Sequence, residues 1–241
     1  MSAYGAITTP TNTIFLPSTT WHLKSKRPGA PSNLTIHHMT LATAEAFPGL
    51  VDYIHKTFAD ELERGQTYPQ EILAGEEYTR ASFDAYYFGK DVLVAVLGKE
   101  GDEPQQDGAA FLAGFAEAVD GRSWEESIAG CYYVKPNYPG RSSHICNAGF
   151  LVPPTQRGRG VGAVLARSFL HYGPRLGYEA SVFNLVYVNN IASVKLWEAL
   201  DFEKAGRIPR AGRLKKADGS GEEFVDAWVF YRRFDAPSPA E

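Results

Sequence analysis

The stretch that most constrains this chain is the run Arg157, Gly158, Arg159, Gly160, Val161, Gly162. The apolar residues Phe150, Leu151 and Val152 lead into it, and Val161, Val164, Leu165 and Phe169 leave it at helical spacing. A strand therefore enters and a helix leaves, with glycines at the junction. Glycine lets the backbone approach a ligand closely, and the first turn of the next helix offers unpaired N–H groups and the positive end of its dipole. Such a turn suits a pyrophosphate, and Arg157 and Arg159 add positive charge. On these residues alone a purely structural strand-to-helix turn is the alternative.

Spacing separates this run from other phosphate motifs. A Walker loop needs Lys and then Ser or Thr after its last glycine, but Ala163 and Val164 follow Gly162. The dinucleotide pattern G-x-G-x-x-G is also missed, and no N-terminal βαβ unit surrounds the turn.

The rest of the chain alternates around this junction. Residues 25–33, SKRPGAPSN, concentrate helix and strand breakers and read as a linker before a strand at Leu34 to Met39. Phe47, Leu50, Val51, Ile54, Phe58 and Leu62 mark one helical face between Ala44 and Arg64, and a second helix is expected from Ile72 to Phe88. The run 92–97 reads as a buried strand, 100–108 as an exposed excursion, and 109–118 and 127–134 as apolar strand-like segments. A strand over Ile145 to Val152, a helix over 160–172, a strand over 179–188, a helix over 190–200 and strands near 202–208 and 224–231 complete the pattern. The expected organisation is one α/β (α+β) domain over 34–234, after an N-terminal extension 1–33 and before a tail 235–241.

Composition narrows the function. The 241 residues carry 24 Lys and Arg against 28 Asp and Glu, a net charge of −4, which disfavours nucleic acid or an anionic membrane as partner. Apolar runs such as 92–97 and 109–119 fall short of the roughly 20 residues a membrane span needs. Cys131 and Cys146 lie in strand-like runs without ligand spacing, so no metal and a reducing compartment are expected. The first acidic residue is Glu45, and the Ser- and Thr-rich segment before it, with Lys24, Lys26 and Arg27, is compatible with a mitochondrial transit peptide. Tyr4, Phe15, Leu16, Trp21 and Leu23 instead favour an uncleaved extension docked on the domain, and a cytoplasmic location.

Arg157, Gly160 and Gly162 fill the acetyl-CoA motif of the GCN5-related N-acetyltransferase superfamily, which the chain resembles. Asn190, Ala192, Leu196, Trp197 and Phe202 fill its second pattern in order. The resemblance implies a single mixed, mostly antiparallel sheet flanked by helices, and acetyl-CoA as co-substrate. It implies cofactor contacts from Phe150, Leu151 and Val152, from Arg157, Gly158, Arg159, Gly160, Val161 and Gly162, and from Asn190 and Ser193. Two positions depart from it. Trp197 stands where many members carry a proton-donating tyrosine, and Asp201 replaces the usual glycine before Phe202.

The stretches RGQTYPQE at 64–71, YYVKPNYPGRSSHICNAGF at 132–150 and FNLVYVNNIAS at 183–193 are similar to a narrower group, the fungal Mpr-type N-acetyltransferases of proline analogues. That resemblance, over roughly residues 46–231, implies direct attack of an amine on the thioester. It implies Asn147 and Asn184 as catalytic groups, a substrate pocket of Tyr68, Asn147, Phe150, Asn184 and Leu185, and Asn190 beside coenzyme A and its leaving sulfur. An amide donates and accepts hydrogen bonds but is no base near pH 7. His144 is the nearest titratable candidate for that role by sequence, and Cys146 lacks the partners of a nucleophile.

Each asparagine has a plainer reading: Asn147 and Asn184 as buried amides at a strand irregularity, Asn190 as a helix N-cap. The alternatives for the whole chain are a protein or amino-sugar N-acetyltransferase and a non-catalytic coenzyme A-binding module. A homodimer through the apolar run Phe224, Val225, Trp228, Val229, Phe230 and Tyr231 is expected, with a place in the core as the other use of that run.

Overall fold

The alternation closes into one nine-stranded sheet in the computed structural model of the chain, which describes residues 15–24 and 30–234. The strands are β1 (Thr19–His22), β2 (Asn33–Met39), β3 (Asp91–Leu97), β4 (Ala109–Ala110), β5 (Ile128–Pro136), β6 (Ile145–Leu151), β7 (Ala180–Tyr187), β8 (Glu203–Lys215) and β9 (Glu222–Arg233). They lie in the order β4-β1-β2-β3-β5-β6-β7-β9-β8, antiparallel except for the parallel pair β6–β7. The helices are α1 (Leu41–Glu45), α2 (Leu50–Arg64), α3 (Arg80–Tyr87), α4 (Phe115–Val119), α5 (Trp124–Ser127), α6 (Val161–Arg175) and α7 (Ile191–Ala199). The mixed, mostly antiparallel sheet flanked by helices is the architecture expected from the sequence.

Two cores sit on opposite faces of the sheet, as the period-two alternation of strands requires. On one face Tyr132, Val134, Cys146 and Ala148 meet Val164, Leu165 and Phe169 of α6 and Trp197 of α7. On the other Cys131, Tyr133 and Leu151 meet Ile54, Phe58 and Leu62 of α2 and Phe83 and Tyr87 of α3.

Some boundaries differ from the sequence reading. The second helix begins at Arg80 rather than Ile72, because Gly75 adopts φ 85° and Thr79 accepts a hydrogen bond from Ser82 N–H as an N-cap. Leu73 is left 55% exposed. The apolar segment 109–118 pairs only at Ala109–Ala110 and then enters α4, where Phe115 and Val119 are buried one turn apart. The sheet also starts upstream of residue 34: β1 pairs with β2, and Trp21 and Leu23 are buried. Tyr4, Lys26, Arg27 and the tail 235–241 lie outside the described residues.

The C-terminal aromatic run is divided. Val225 and Phe230 are core, Trp228 lies under Lys204, and Phe224 is exposed. Among the described residues no helix is long and apolar enough to cross a membrane.

Candidate active site

The parallel strands β6 and β7 pair only at Ile145↔Ala180 and Cys146↔Ser181. Beyond that they splay, and the backbone of β6 from Asn147 onward turns its polar groups to a cleft of about 730 Å³. A bulge in the β7–β9 pairing between Phe183 and Val186 re-aims Asn184 and Leu185 toward the same gap. The N-termini of α6 and α7 close its mouth.

At α6 the turn is shaped by glycine. Gly158 and Gly160 have φ of 73° and 85°, a region L side chains rarely adopt. Gly160 caps the helix without a side-chain bond, and among the described residues the N–H groups of Gly160, Val161 and Gly162 have no protein acceptor. Gly162 lines the cleft, has no positive φ, and a Cβ there would meet nothing within 4 Å. The fold itself therefore does not demand glycine at this position, whereas close approach of an anionic ligand to the backbone does.

Of the residues expected at the cofactor, Phe150, Leu151, Val152, Arg157, Gly162, Asn190 and Ser193 line the cleft. Gly158, Arg159 and Gly160 build the turn beside it, and Val161 is buried in the core, so only its N–H can face a phosphate. The positive charge at the turn is smaller than the sequence suggests. Arg157 donates to the buried carboxylate of Glu61 at 2.6 Å and to the Val152 carbonyl, tying the turn to α2, and Arg159 donates to Gln156 Oε1.

At α7 Asn190 is indeed the N-cap: its Oδ1 accepts from Ser193 N–H at 3.2 Å, which leaves its Nδ2 free to donate into the cleft. Trp197, buried at 4% exposure, donates Nε1–H to Ser193 Oγ at 3.1 Å. The serine hydroxyl thus keeps its own hydrogen for the cleft.

Tyr68, Asn147, Phe150, Asn184 and Leu185, the expected substrate residues, are brought together at the other end. The side-chain amide of Asn147, whose strand pairs with β5, has no hydrogen-bond partner among the described residues. Asn184 is held by a reciprocal amide pair with Asn137, at 2.7 and 3.2 Å, and each amide retains one N–H to donate. Tyr68 presents its ring, while its hydroxyl donates to the Phe150 carbonyl at 2.9 Å.

His144 is not brought to the cleft. It is exposed in the turn just before β6, where its carbonyl accepts from Glu179 N–H. Burial pushes both thiols up, Cys131 to about 12, so neither is a nucleophile at neutral pH.

Asn137, Tyr86, Tyr133 and Glu61 were not singled out by sequence. Tyr86 and Tyr133 share a hydroxyl–hydroxyl bond of 2.8 Å and wall that end of the cleft, both with pKa values raised by burial. The signal for Tyr133 is its register opposite Gly149, where a Cβ would lie 2.4 Å from the ring. No sequence spacing encodes that pairing. Among the described residues no group of three or more His, Cys, Asp or Glu is placed to hold a metal ion.

A sheet opened at its one parallel junction, with unpaired helix N–H groups at the mouth and amides at the far end, defines an enzyme that holds a phosphate-bearing acyl donor across the sheet. Comparison with known proteins agrees. The profile of the Acetyltransferase (GNAT) family matches residues 77–202. N-acetyltransferase aca1 of Schizosaccharomyces pombe is 42% identical over 174 residues, which cover 72% of this chain and 75% of that protein.

Among solved structures, a GCN5-related N-acetyltransferase from Kribbella flavida superposes with a TM-score of 0.59 at 23% identity, covering 83% of this chain and 98% of its own. The yncA protein from Salmonella typhimurium, solved with its cofactor acetyl-CoA, superposes with a TM-score of 0.54 at 16% identity, covering 87% and 99%. This chain belongs to the GNAT acetyltransferase family and is an acetyl-CoA-dependent N-acetyltransferase.

Proposed function

We propose that the acceptor is a small imino or amino acid such as azetidine-2-carboxylate or cis-4-hydroxyproline, as in the Mpr-type enzymes. The observation that carries this reading is the acceptor end of the cleft. The rings of Tyr68, Tyr86 and Tyr133 wall it, and the unpartnered Asn147 amide and the Asn137–Asn184 pair line it or stand beside it. A short apolar ring bearing a polar group matches that lining, whereas a basic peptide would find no free carboxylate: Glu61 is paired with Arg157 and Arg64.

Acetyl-CoA, when bound, supplies the thioester carbonyl. The N–H groups at Gly160, Val161 and Gly162 would hold its pyrophosphate, and the edge of β6 that β7 leaves open beyond Cys146 would hold the chain that follows. Asn147 Oδ1 accepts from the N–H of the acceptor, which fixes its nitrogen with the lone pair free to attack the carbonyl carbon, and the Asn147 amide and the remaining N–H of Asn184 donate to the carbonyl oxygen as its charge grows. The nitrogen would bond directly to the thioester carbon as the carbon–sulfur bond breaks, and Asn190 Nδ2 and the Ser193 hydroxyl would donate to the leaving thiolate. Trp197 orients Ser193 through its indole N–H, so the missing tyrosine is replaced by a serine already aimed. The acceptor proton leaves to water, since the tyrosines of the pocket hold theirs.

The test is coenzyme A release, by thiol detection, over a panel of cyclic imino acids, ordinary amino acids, glucosamine 6-phosphate and a histone-tail peptide. Turnover is expected for the imino acids, and Asn147→Ala should lower kcat about 10²–10³-fold, the cost of losing one donor to a developing oxyanion. The thermal stability of that variant should be unchanged, because its amide bonds to no described residue. Turnover of peptide or sugar instead overturns the acceptor. We also read the exposed Phe224 and Ile208 on the edge hairpin β8–β9 as supporting a homodimer. Sedimentation giving only monomer removes it.

A further inference from the structure

Lys135 is a cation without an anion among the described residues. It sits near the end of β5, and its Nζ lies 3.7 Å from the ring centroid of Tyr86 and 4.2 Å from that of Tyr133. It donates one hydrogen bond, to the Tyr86 carbonyl at 2.9 Å. Among the described residues no carboxylate lies within ion-pair distance of it. Burial lowers its pKa to about 8, which still leaves it mostly protonated at neutral pH. A half-buried ammonium held only by ring faces and one carbonyl keeps two N–H donors unspent, and an uncompensated buried charge is costly.

The register shows where those donors belong. On β5, Tyr133 and Lys135 share the face toward α2 and α3, and the pairing sets them opposite Gly149 and Asn147. Residues directly opposite in an antiparallel pair have Cβ atoms about 5 Å apart. Lys135 therefore stands beside the unpartnered Asn147 amide, behind the tyrosines that wall the acceptor end. Two residues further on, Asn137 clasps Asn184. Asn147 and Asn184 line the cleft there, and Lys135 stands one layer behind that lining, opposite Asn147.

We propose that Lys135 is the specificity-determining residue for the acceptor, binding the carboxylate of an α-imino or α-amino acid while Asn147 and Asn184 hold the nitrogen. This rests on the acceptor reading above and adds to it: the enzyme selects a free carboxylate rather than any small cyclic amine. The ammonium completes its ion pair only when the acceptor is present. An amide, ester or peptide at the same carbon leaves the charge unanswered, a larger penalty than the loss of a neutral hydrogen bond.

The experiment compares azetidine-2-carboxylate with azetidine-2-carboxamide, which keeps the ring and nitrogen and lacks the charge. Calorimetric titrations into the coenzyme A-loaded enzyme run alongside steady-state kinetics. The wild type should bind the acid about tenfold to a hundredfold tighter than the carboxamide, the range of one charge-assisted bond. Lys135→Met, which keeps an apolar chain between the rings, should erase that difference through KM with kcat for the carboxamide unchanged, and Lys135→Arg should restore part of it.

Equal weakening of both ligands, or a fall in kcat at unchanged KM, would overturn the assignment while leaving the acceptor reading intact. Tight acid binding lost in Lys135→Met but without wild-type turnover would keep Lys135 and remove the acceptor reading. Failure of the wild type to bind the acid removes both.

Discussion

Gly162 and Gly160 lie two residues apart in one turn, and replacing each with alanine should move stability in opposite directions. Gly162 is the second residue of α6, its φ is not positive, and a Cβ there meets nothing within 4 Å. Gly162→Ala removes conformational freedom from the unfolded chain without strain in the folded one, worth about 0.4–1 kcal/mol of added stability. For a domain of this size that raises Tm by roughly 1–4 °C. The same methyl group occupies the space through which a pyrophosphate reaches the N–H groups of the turn. Each charge-assisted bond lost should weaken coenzyme A about tenfold to a hundredfold.

Gly160→Ala is the control. Its φ of 85° is left-handed, so the Cβ costs about 1–2 kcal/mol and Tm should fall. Thermal denaturation and calorimetric titration with coenzyme A read both variants. A Gly162→Ala protein that is less stable, or that binds coenzyme A within twofold of wild type, would refute the view that this glycine serves the ligand and not the fold.

Other perturbations follow from single contacts. Gly149→Ala sets a Cβ 2.4 Å from the Tyr133 ring, an overpacking worth about 1–3 kcal/mol, and should raise KM for the acceptor but not for acetyl-CoA. Loss of cofactor affinity alone would contradict that placement. His37 is buried between Ser18 and Thr35, with the edges of Phe111 and Phe115 nearby, and burial lowers its pKa from 6.5 to about 4. Between those values the unfolded chain binds a proton that the folded one refuses, so stability falls as pH falls through that window, by at most about 3 kcal/mol. Urea midpoints at pH 7 and 4.5 should converge in His37→Gln relative to wild type. Burial lowers His171 too, and the wild-type minus variant difference removes its share.

Much of this protein was legible before folding because some signals are local. The glycine turn needs positive φ at Gly158 and Gly160, and the helical spacing of Val161, Val164, Leu165 and Phe169 points one face at the sheet. Asn190 is both cap and cleft residue, as its place before a helix allowed. The segment 72–79 misled because Gly75 and the Thr79 cap interrupt a pattern that apolar spacing alone continues. His144 is near Asn147 in sequence, but it stays exposed in the turn before β6, about 10 Å along the extended chain from Asn147.

The sequence by itself determined the strand-turn-helix that can receive a pyrophosphate, the set of asparagines near it and the class of fold. These rest on backbone freedom and on periodicity within a few residues. Only the tertiary structure decided what the charges do. Arg157 is answered by Glu61, 96 residues away, and so is bound up in the fold, whereas Lys135, in a strand that reads as ordinary, is left unanswered. Ion pairing and strand register depend on which distant segments meet, and the splay of β6 from β7 exists only once the whole sheet has formed around it.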